Sequence, residues 1–442
     1  MRIAVVGGGI AGLAAAFEVA GRSDVTVFEP ARLGGRILTE PFEGRPVECG
    51  PDAFITRSPD ATTLCAEVGV DDLVAPRAGR ALLWWSGSLH PIPDGLMMGV
   101  PTRLGPLLRS GLLSPAGVLR AGADLVLPRR TYEGDVSVRQ LIAGRFGPQV
   151  ADRLADPLIG SIHAGRSENL SSEATIPHLL AAGRRSRSLL WELRKAPRPA
   201  AGAPMFMAPR FGLSQLVEAL ERRLRGDGVK FESARVGAVR PAGGTSVDVD
   251  GSRFDGCVLA VGAAEAAEIL GDDAVPGLRD LETASVALVT LGYPEFELPD
   301  GCSGLLVPRQ EGRLMTACSF ASQKWPHWAA PGRTLLRVSA GRAGDRRIDE
   351  LSDEDLVERL SAEVADALPA PTAADTWRVN RWPDAFPQYG VGHSERVRRA
   401  EEALRRKVPG VALCGSSYRG VGIPACIASG RAAARSLCPA GG

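Results

Sequence analysis

Residues 2–29 have the sequence RIAVVGGGIAGLAAAFEVAGRSDVTVFE, and this stretch decides the fold. The segment RIAVV over 2–6 predicts a short buried strand, the Ala-rich segment 10–20 predicts a helix, and DVTVFE over 24–29 predicts a second buried strand. A strand, a tight turn, a helix and another strand form a unit whose two strands lie parallel. The chain is therefore expected to begin with an α/β, Rossmann-like domain built on a parallel sheet.

The turn of this unit carries glycines at the three positions that a bound dinucleotide requires. Gly7 permits the tight turn, Gly9 lets backbone amides approach a diphosphate, and Gly12 lets the helix pack on the strand. Glu29 follows 22 residues after Gly7, where a carboxylate accepts hydrogen bonds from ribose hydroxyls and repels a 2′-phosphate. The predicted nucleotide contacts in this unit are Gly7, Gly8, Gly9, Ile10, Ala11, Gly12, Glu29 and Pro30.

Composition and charge exclude several classes of protein. The 442 residues include 52 Lys and Arg against 51 Asp and Glu, and this balance argues against a nucleic-acid-binding protein, which would be strongly basic. The eight cysteines have no metal-ligand spacing, so no metal site is expected and a reducing compartment is indicated. No apolar run reaches about 18 residues and no signal-peptide pattern opens the chain, so a cytoplasmic protein is expected.

The rest of the chain alternates between helical and strand-like patterns. Residues 96–130 and 136–160 predict short amphipathic helices, and the basic segment 183–204, which ends in Pro and Ala, predicts a linker. Further helices are predicted at 213–225, 350–368 and 424–437. Further strands are predicted at 229–240, 245–250, 254–261, 284–293, 303–308, 333–339 and 411–414.

A second glycine-rich segment follows the acidic residue directly. Leu33-Gly34-Gly35-Arg36 again admits a close approach of the backbone, and Arg36 could contact a phosphate or a ribityl hydroxyl. In this position the segment resembles the FAD-binding signature of the flavin amine-oxidase-like superfamily. The resemblance implies that the dinucleotide is FAD, with Gly34, Gly35 and Arg36 at the cofactor.

Four further segments narrow the resemblance, and together they span nearly the whole chain. They are Glu48-Cys49-Gly50-Pro51-Asp52-Ala53-Phe54, the segment 158–165 (LIGSIHAG), the segment 381–393 (RWPDAFPQYGVGH) and the segment 414–427 (CGSSYRGVGIPACI). In order and spacing they resemble the protoporphyrinogen/coproporphyrinogen oxidase family. Three positions depart from that family's usual residues: Ala425 replaces Asp, Gly262 replaces Pro and His163 replaces Tyr.

The resemblance also implies roles for individual residues. Backbone would lie against the flavin ring at Gly50, Pro51, Val421, Gly422 and Ile423, and Asp52, Ala53 and Gly415 would also contact the cofactor. Val236 would contact the adenine through its backbone, and Trp382 would contact the flavin, although an ordinary core position also fits Trp382. Arg80 matches, with a shift of one residue, an arginine that pairs a substrate propionate, and an exposed strand position fits it equally well. No catalytic acid or base is indicated.

The resemblance implies three domains. The FAD-binding domain would comprise 1–75, 212–265 and 405–442, and a mixed α+β substrate-binding domain would comprise 76–95 and 266–404. The remaining segment, 96–211, would form a helical insertion and linker, which serves either as a surface for peripheral membrane contact or as a wall of the pocket.

The implied activity is FAD-dependent oxidation of coproporphyrinogen III to coproporphyrin III in haem biosynthesis. Six electrons would leave in three hydride steps, with O2 as the final acceptor. Protoporphyrinogen IX is the alternative substrate, and a flavin amine oxidase, a carotenoid desaturase-like enzyme and a non-catalytic flavin-binding protein stay open. The implied partners are the porphyrinogen, O2 and, by transient contact, the ferrochelatase that follows in the pathway.

Overall fold

The computed structural model describes residues 1–77, 79–195 and 204–438. Two compact units divide the chain. The first unit comprises Met1–Ala75, Pro204–Glu282 and Ser394–Gly442, and the second comprises Pro76–Ala203 and Thr283–His393. Each unit is assembled from separate stretches of sequence, and each has its own sheets and its own apolar cores.

The strands of the described residues are, in chain order, β1 Arg2–Val6, β2 Asp24–Phe28, β3 Thr39–Phe42, β4 Arg45–Glu48, β5 Phe54–Ile55, β6 Leu73–Val74, β7 Arg80–Trp85, β8 Ser88–Pro91, β9 Leu96–Met97, β10 Val100–Pro101, β11 Phe206–Pro209, β12 Lys230–Glu232, β13 Val239–Pro241, β14 Val247–Val249, β15 Ser252–Phe254, β16 Gly256–Leu259, β17 Thr283–Pro294, β18 Cys302–Leu306, β19 Met315–Ser319, β20 Arg333–Ala340, β21 Thr376–Pro387 and β22 Val411–Leu413.

The α-helices are α1 Ile10–Val19, α2 Asp60–Glu67, α3 Leu104–Arg109, α4 Pro115–Gly122, α5 Val138–Phe146, α6 Pro148–Val150, α7 Asp156–His163, α8 Ser172–Thr175, α9 Pro177–Arg185, α10 Leu189–Arg194, α11 Ser214–Gly226, α12 Ala263–Leu270, α13 Ala321–Lys324, α14 Arg347–Glu350, α15 Asp353–Ala367, α16 His393–Lys407 and α17 Ile423–Leu437. A π-helical turn, Ala151–Ala155, separates α6 from α7.

A five-stranded parallel sheet organises the first unit. Its order is β12-β2-β1-β16-β22, and every neighbouring pair is parallel. Four of the five residues of β1 are buried, and the alanines of α1 are fully buried against the sheet and α17. The predicted strand–turn–helix–strand unit and the parallel sheet are confirmed, and the carboxyl ends of all five strands meet at one edge.

One predicted strand of this unit is interrupted. The expected strand 229–240 ends at Glu232, and the chain resumes as β13 in a separate antiparallel sheet with β14 and β15. The interruption has a local cause, because the side chain of Asp250 accepts hydrogen bonds from the N–H groups of Gly237 and Ala238, both at 2.8 Å. These bonds divert the backbone away from the parallel sheet.

A seven-stranded mixed sheet organises the second unit. Its order is β21-β17-β20-β19-β18-β7-β8, and β18 and β7 form its parallel pair. The helices α3 to α10 lie between β10 and β11 in the sequence and surround a separate apolar core. The fold class is thus confirmed as α/β with a parallel-sheet domain, a mixed α+β part and a helical segment.

Two expectations for the helical segment need correction. Residues 96–101 form the hairpin β9–β10, because Met98 and Gly99 both adopt left-handed backbone conformations that reverse the chain. The expected linker 183–204 begins as helix, since α9 extends to Arg185 and α10 follows with Leu189, Leu190 and Leu193 buried. Residues 196–203 of that expected linker lie outside the described residues.

A buried ion pair holds the helical segment together. The guanidinium Nε of Arg145 on α5 donates to the carboxylate of Asp124 at 2.6 Å, and both side chains are almost fully buried. The other carboxylate oxygen of Asp124 accepts hydrogen bonds from the Ser188 hydroxyl at 2.6 Å and from the Leu190 N–H at 2.9 Å. The pair is therefore fully satisfied within this segment.

Candidate functional site

The turn after β1 has glycines where side chains would collide and an open position where a ligand would lie. A Cβ on Gly12 would lie 1.9 Å from the Gly7 carbonyl oxygen, and one on Gly7 would lie 2.7 Å from the Ala260 carbonyl oxygen. Gly7 also has a φ of 104°, which favours glycine. By contrast, a Cβ on Gly9 would meet no protein atom within 4 Å. The open space begins at the amino end of α1, which suits a diphosphate.

Glu29 lies at the end of β2, beside this turn. Its carboxylate accepts the Gly8 N–H at 2.7 Å on one oxygen and the Ala31 N–H at 3.0 Å on the other. A carboxylate has further acceptor capacity, so these two bonds hold it in place without using all its lone pairs. The arrangement fits the predicted role of accepting ribose hydroxyls.

The second glycine-rich segment packs directly on the first. The Gly34 N–H donates to the Gly8 carbonyl oxygen at 2.8 Å, and a Cβ on Gly35 would lie 3.2 Å from the Cα of Gly9. Arg36 donates to the Ser416 hydroxyl at 2.9 Å, which brings the segment to the loop after β22. The structure therefore brings together three sequence-predicted parts of the nucleotide site.

Arg32 also shapes this segment, and the sequence analysis did not assign it a role. Its guanidinium donates to three carbonyl oxygens, those of Leu33 at 3.2 Å, Ile37 at 2.9 Å and Gly35 at 2.6 Å. The available signal was an arginine two residues before a Gly-Gly pair, because a guanidinium can satisfy several carbonyls of a tight loop. In an arginine-rich chain that signal has little specificity.

The acidic residue that opens the segment 48–54 has a structural role. Glu48 is 1% exposed, and its carboxylate accepts the Leu213 N–H at 2.6 Å and the Thr39 hydroxyl at 2.9 Å. These bonds join β3 and β4 to the start of α11. They fix the course of the chain into Gly50, Pro51, Asp52 and Ala53, the residues predicted at the flavin.

The loop between β22 and α17 brings the carboxyl-terminal segment to the same edge of the parallel sheet. Gly415 has a φ of 114°, and its N–H donates to the Ser429 hydroxyl at 3.1 Å. Gly422 caps α17, and the first turn of that 15-residue helix carries no acidic side chain. No carboxylate of the first turn therefore neutralises the positive end of the α17 dipole. This end faces the loop that contains Val421.

Val236 follows β12 at this edge. It is 5% exposed and packs in the core that also contains Ala4 and Val6 of β1. Its buried side chain fixes the adjacent backbone, which is the part predicted to contact adenine.

The second unit contains the other two predicted site residues, and it does not bring them together. Trp382 pairs with Val286 on β17 and packs against the small buried cluster of Ala164, Ala284, Val286 and Ala385. Arg80 is the exposed first residue of β7, and its carbonyl oxygen accepts the Ser303 hydroxyl at 3.0 Å. Successive cross-strand partners form one row across six strands of the sheet, namely Leu83, Leu306, Ala317, Ser339, Leu288 and Asn380. Arg80 and Trp382 lie on opposite sides of that row along the strands.

Burial suppresses the reactivity of several titratable groups. It raises the pKa of the Cys65 and Cys257 thiols to about 12, so neither forms a thiolate near neutral pH. It lowers the pKa of His163 to about 4 and keeps that imidazole neutral. Within the described residues the eight cysteines are buried and form no disulfide, and no three His, Cys, Asp or Glu side chains cluster as metal ligands.

Comparisons with known proteins extend over nearly the whole chain. Residues 10–438 match the family described as flavin containing amine oxidoreductase. The chain is 33% identical to coproporphyrinogen III oxidase of Bacillus subtilis (strain 168), over 98% of this chain and 96% of that protein. It is 35% identical to coproporphyrinogen III oxidase of Mycobacterium tuberculosis (strain ATCC 25618 / H37Rv), over 97% of this chain and 95% of that protein. It is 30% identical to the chloroplastic protoporphyrinogen oxidase of Oryza sativa subsp. japonica, over 96% of this chain and 85% of that protein.

Solved structures agree with the sequence comparisons. A protein of Exiguobacterium sp. 255-15 described as a protoporphyrinogen oxidase superposes with a TM-score of 0.89 at 30% identity, covering 99% of this chain and 98% of that one. A reduced UDP-galactopyranose mutase shares the fold, with a TM-score of 0.73 at 16% identity, covering 99% of this chain and 95% of that one. The glycine turn and the acidic residue after β2 agree with this similarity, which covers nearly the full length of the chain. The chain therefore belongs to the family of flavin-containing amine oxidoreductases and is a flavin-dependent oxidoreductase.

Proposed function

We propose that this protein oxidises coproporphyrinogen III to coproporphyrin III in haem biosynthesis, with FAD as its flavin. The observation that carries the proposal is the similarity, over nearly the full length of both chains, to bacterial relatives that are named coproporphyrinogen III oxidase at 29% to 35% identity. The second candidate substrate, protoporphyrinogen IX, is favoured by the 30% identity to the Oryza sativa chloroplastic enzyme.

FAD would be held by the edge of the parallel sheet. The N–H groups at the start of α1 would bind the diphosphate in the open space beside Gly9, against which Gly35 packs, and Arg36 would contact a phosphate or a ribityl hydroxyl. Glu29 would accept hydroxyls of the adenosine ribose, and backbone at Val236 would contact the adenine. This division of roles matches the chemistry of each part, since a helix amino end favours an anion and a carboxylate favours a hydroxyl donor.

The carboxyl-terminal loop would support the reactive ring. When bound, the flavin would supply hydride acceptance in each of three two-electron steps, with O2 as the final electron acceptor. The N–H groups at Val421, Gly422 and Ile423, at the positive end of α17, would stabilise negative charge that develops on the ring edge. The segment Gly50, Pro51, Asp52 and Ala53 would position the ring.

The chain's role toward the substrate would be orientation and exclusion of water. Arg80 would pair with a propionate remote from the reacting carbon, because a guanidinium matches a carboxylate in two parallel hydrogen bonds. Holding the macrocycle in one pose keeps the reacting carbon close to the flavin. Such positioning is the main way in which a protein accelerates a hydride transfer. Pyrrole protons would pass to water, so no side chain is assigned as acid or base.

The helical segment would make peripheral contact with a membrane. Five of its large apolar side chains are strongly exposed, namely Leu108, Leu119, Val126, Ile162 and Trp191. Arginines such as Arg103, Arg109 and Arg129 lie in the same segment and suit anionic headgroups. No helix within the described ranges has the length and apolar character needed to cross a bilayer. We place the protein in the cytoplasm, where transient contact with ferrochelatase would pass on the product.

One side-by-side assay tests the proposed function. Purified FAD-loaded protein is supplied with coproporphyrinogen III and, separately, with protoporphyrinogen IX, and porphyrin fluorescence is followed in air. We expect a higher kcat/KM with coproporphyrinogen III. A higher value with protoporphyrinogen IX would select the second candidate, and no turnover of either would contradict the proposal.

A further inference from the structure

The first turn of α11 is capped by a hairpin that is distant in the sequence. Leu213, which precedes the helix, gives no side-chain cap, and the first turn carries no acidic side chain. The first N–H groups donate to β3 and β4 instead. The Leu213 N–H bonds the Glu48 carboxylate at 2.6 Å, and the Ser214 N–H bonds the Thr39 hydroxyl at 3.1 Å. The positive end of α11 therefore lies against a buried carboxylate.

The hydrogen bonds between the hairpin and the helix lead from donor to donor and end at Glu48. Thr39 lies opposite Glu48 in the β3–β4 register, and its hydroxyl accepts the Ser214 N–H and donates to the second Glu48 oxygen at 2.9 Å. The Thr39 N–H donates in turn to the Ser214 hydroxyl at 2.8 Å. Gly212 permits this approach, because a Cβ there would collide with the Thr39 methyl group. Each Glu48 oxygen thus accepts from a donor, as only an ionised carboxylate can.

The same helix supports the second glycine-rich segment. A Cβ on Gly34 would lie 3.1 Å from a methyl carbon of Val217 on α11, so the helix packs on the bare backbone of that segment. The Gly34 N–H donates to the Gly8 carbonyl oxygen at 2.8 Å, and buried residues of α11 and α1 share one apolar core. The position of α11 therefore sets where the segment 33–36 lies relative to the turn after β1.

The hairpin also leads directly into the segment 50–53. The Cys49 N–H donates to the Leu38 carbonyl oxygen at 2.7 Å, one residue beyond the last pair of β3 and β4. Glu48 is thus the point at which the chain entering 50–53 is joined to α11. One carboxylate holds two segments of the first unit, 33–36 through the helix and 50–53 through the hairpin.

We infer that Glu48 is a positioning residue for FAD, which holds the segments 33–36 and 50–53 at the spacing that the bound cofactor requires. The inference rests on the proposed function, because that function places both segments at the cofactor. Glu48 acts on FAD through Thr39 and α11. A protein that adopts its binding geometry for only a fraction of the time has its apparent affinity lowered by that fraction.

Two variants weaken this connection in different ways. Glu48→Gln keeps the shape of the side chain, but an amide offers one acceptor oxygen and cannot serve two donors. Thr39→Val removes the relaying hydroxyl and leaves the Glu48 charge in place. Glu363→Gln is the matched control, because the Glu363 carboxylate also accepts two N–H groups, those of Leu314 and Met315 at 2.9 and 2.8 Å, in the second unit.

The dissociation constant of FAD is measured by adding FAD to each apoprotein and following the change in flavin fluorescence. We expect Glu48→Gln to raise this constant about tenfold, which corresponds to the loss of one charge-assisted hydrogen bond. Thr39→Val should raise it by a smaller factor, and Glu363→Gln should match the wild type. Wild-type affinity in Glu48→Gln, or an equal loss in Glu363→Gln, would overturn the inference.

The reduction potential of bound flavin separates positioning from a role in folding alone. Because Thr39→Val keeps the Glu48 charge, a change in this potential reports a displaced ring and not an altered charge. In protein saturated with FAD the potential should fall, as the ring moves away from N–H groups that stabilise its reduced form. An unchanged potential would overturn the inference, and this result decides the matter if Glu48→Gln does not fold.

Neither measurement uses a porphyrinogen. A protein that binds FAD but turns over no porphyrinogen would contradict the proposed function and leave this test intact. A wild-type apoprotein that does not bind FAD would contradict both the proposed cofactor and the inference.

Discussion

Gly430 of α17 lies against the main chain of Ala11 of α1, so closely that a Cβ on Gly430 would be 2.0 Å from the Ala11 carbonyl oxygen. This contact lets the two helices that follow β1 and β22 pack backbone to backbone. Both helices begin at the same edge of the parallel sheet, so the contact also sets the spacing between their positive ends. The spacing between the two helix ends that we propose bind FAD therefore depends on this glycine.

Gly430→Ala should push α1 and α17 apart. We expect the free energy of unfolding to fall by about 1–3 kcal/mol, as for other overpacked interiors, and flavin retention to fall with it. Thermal unfolding and flavin content after gel filtration measure the two effects. Gly226→Ala is the control, because a Cβ there meets no atom within 4 Å. Wild-type stability in Gly430→Ala would mean that the helix contact is loose.

Gly9→Val should abolish flavin retention without unfolding the protein. Gly9 has a φ of −69°, which any residue adopts, and its Cβ would meet no protein atom within 4 Å, so the new side chain would occupy only the space assigned to the diphosphate. The absorbance of bound flavin per protein chain is the measurement. Gly21→Val, at a similarly open position, should keep its flavin. If Gly9→Val retained a full complement, the diphosphate would have to lie elsewhere.

Asp124→Ala should be among the most destabilising single changes in the helical segment. It would leave Arg145 charged and buried without a partner, which typically costs about 3–5 kcal/mol. Asp152→Ala is the matched control, since the pair of Asp152 with Arg139 at 2.8 Å is partly exposed and should contribute less than about 1 kcal/mol. Urea-unfolding midpoints compare the two. Similar midpoints for both variants would show that the buried pair adds nothing beyond a surface pair.

Stability should fall in acid because of His163. Its pKa is lowered to about 4 by burial, so between pH 6.5 and 4 the unfolded chain binds a proton there that the folded chain does not. Folding is thus favoured above pH 6.5, and up to about 3 kcal/mol is lost as the pH falls to 4.

His163→Phe tests this by removing part of the acid sensitivity. The thermal midpoint should decline less between pH 6.5 and 4 than in the wild type. His178→Phe changes an exposed imidazole and should leave the decline intact. A decline of the same size in His163→Phe would assign the acid sensitivity to the carboxylates instead.

Local patterns allowed the nucleotide half of the fold to be predicted from the sequence. The strand β1, the turn Gly7 to Gly12, α1 and β2 follow one another within 28 residues, so periodicity and glycine spacing are sufficient there. Ser352 likewise caps α15 through a local bond, because its hydroxyl accepts the Asp355 N–H at 3.1 Å. These features depend on near neighbours alone.

Features set by distant parts of the chain could not be predicted. Glu48 is fixed by Leu213, which lies 165 residues away, and no pattern around either residue indicates the bond. Arg309 likewise donates to the Ala343 carbonyl oxygen at 3.3 Å only because the sheet brings the ends of β18 and β20 close together. The break after Glu232 depends on Asp250, whose side chain bonds two N–H groups across the loop.

Anaerobic mixing of the FAD-loaded protein with coproporphyrinogen III tests the central claim most directly. If this chain holds FAD at the edge of its parallel sheet and presents a porphyrinogen to it, the visible absorbance of oxidised flavin should bleach, and admission of O2 should restore it with the appearance of porphyrin fluorescence. Flavin that stays oxidised in the presence of excess porphyrinogen, in a protein that has retained its full complement of FAD, would contradict the account and leave a flavin-binding protein without this activity.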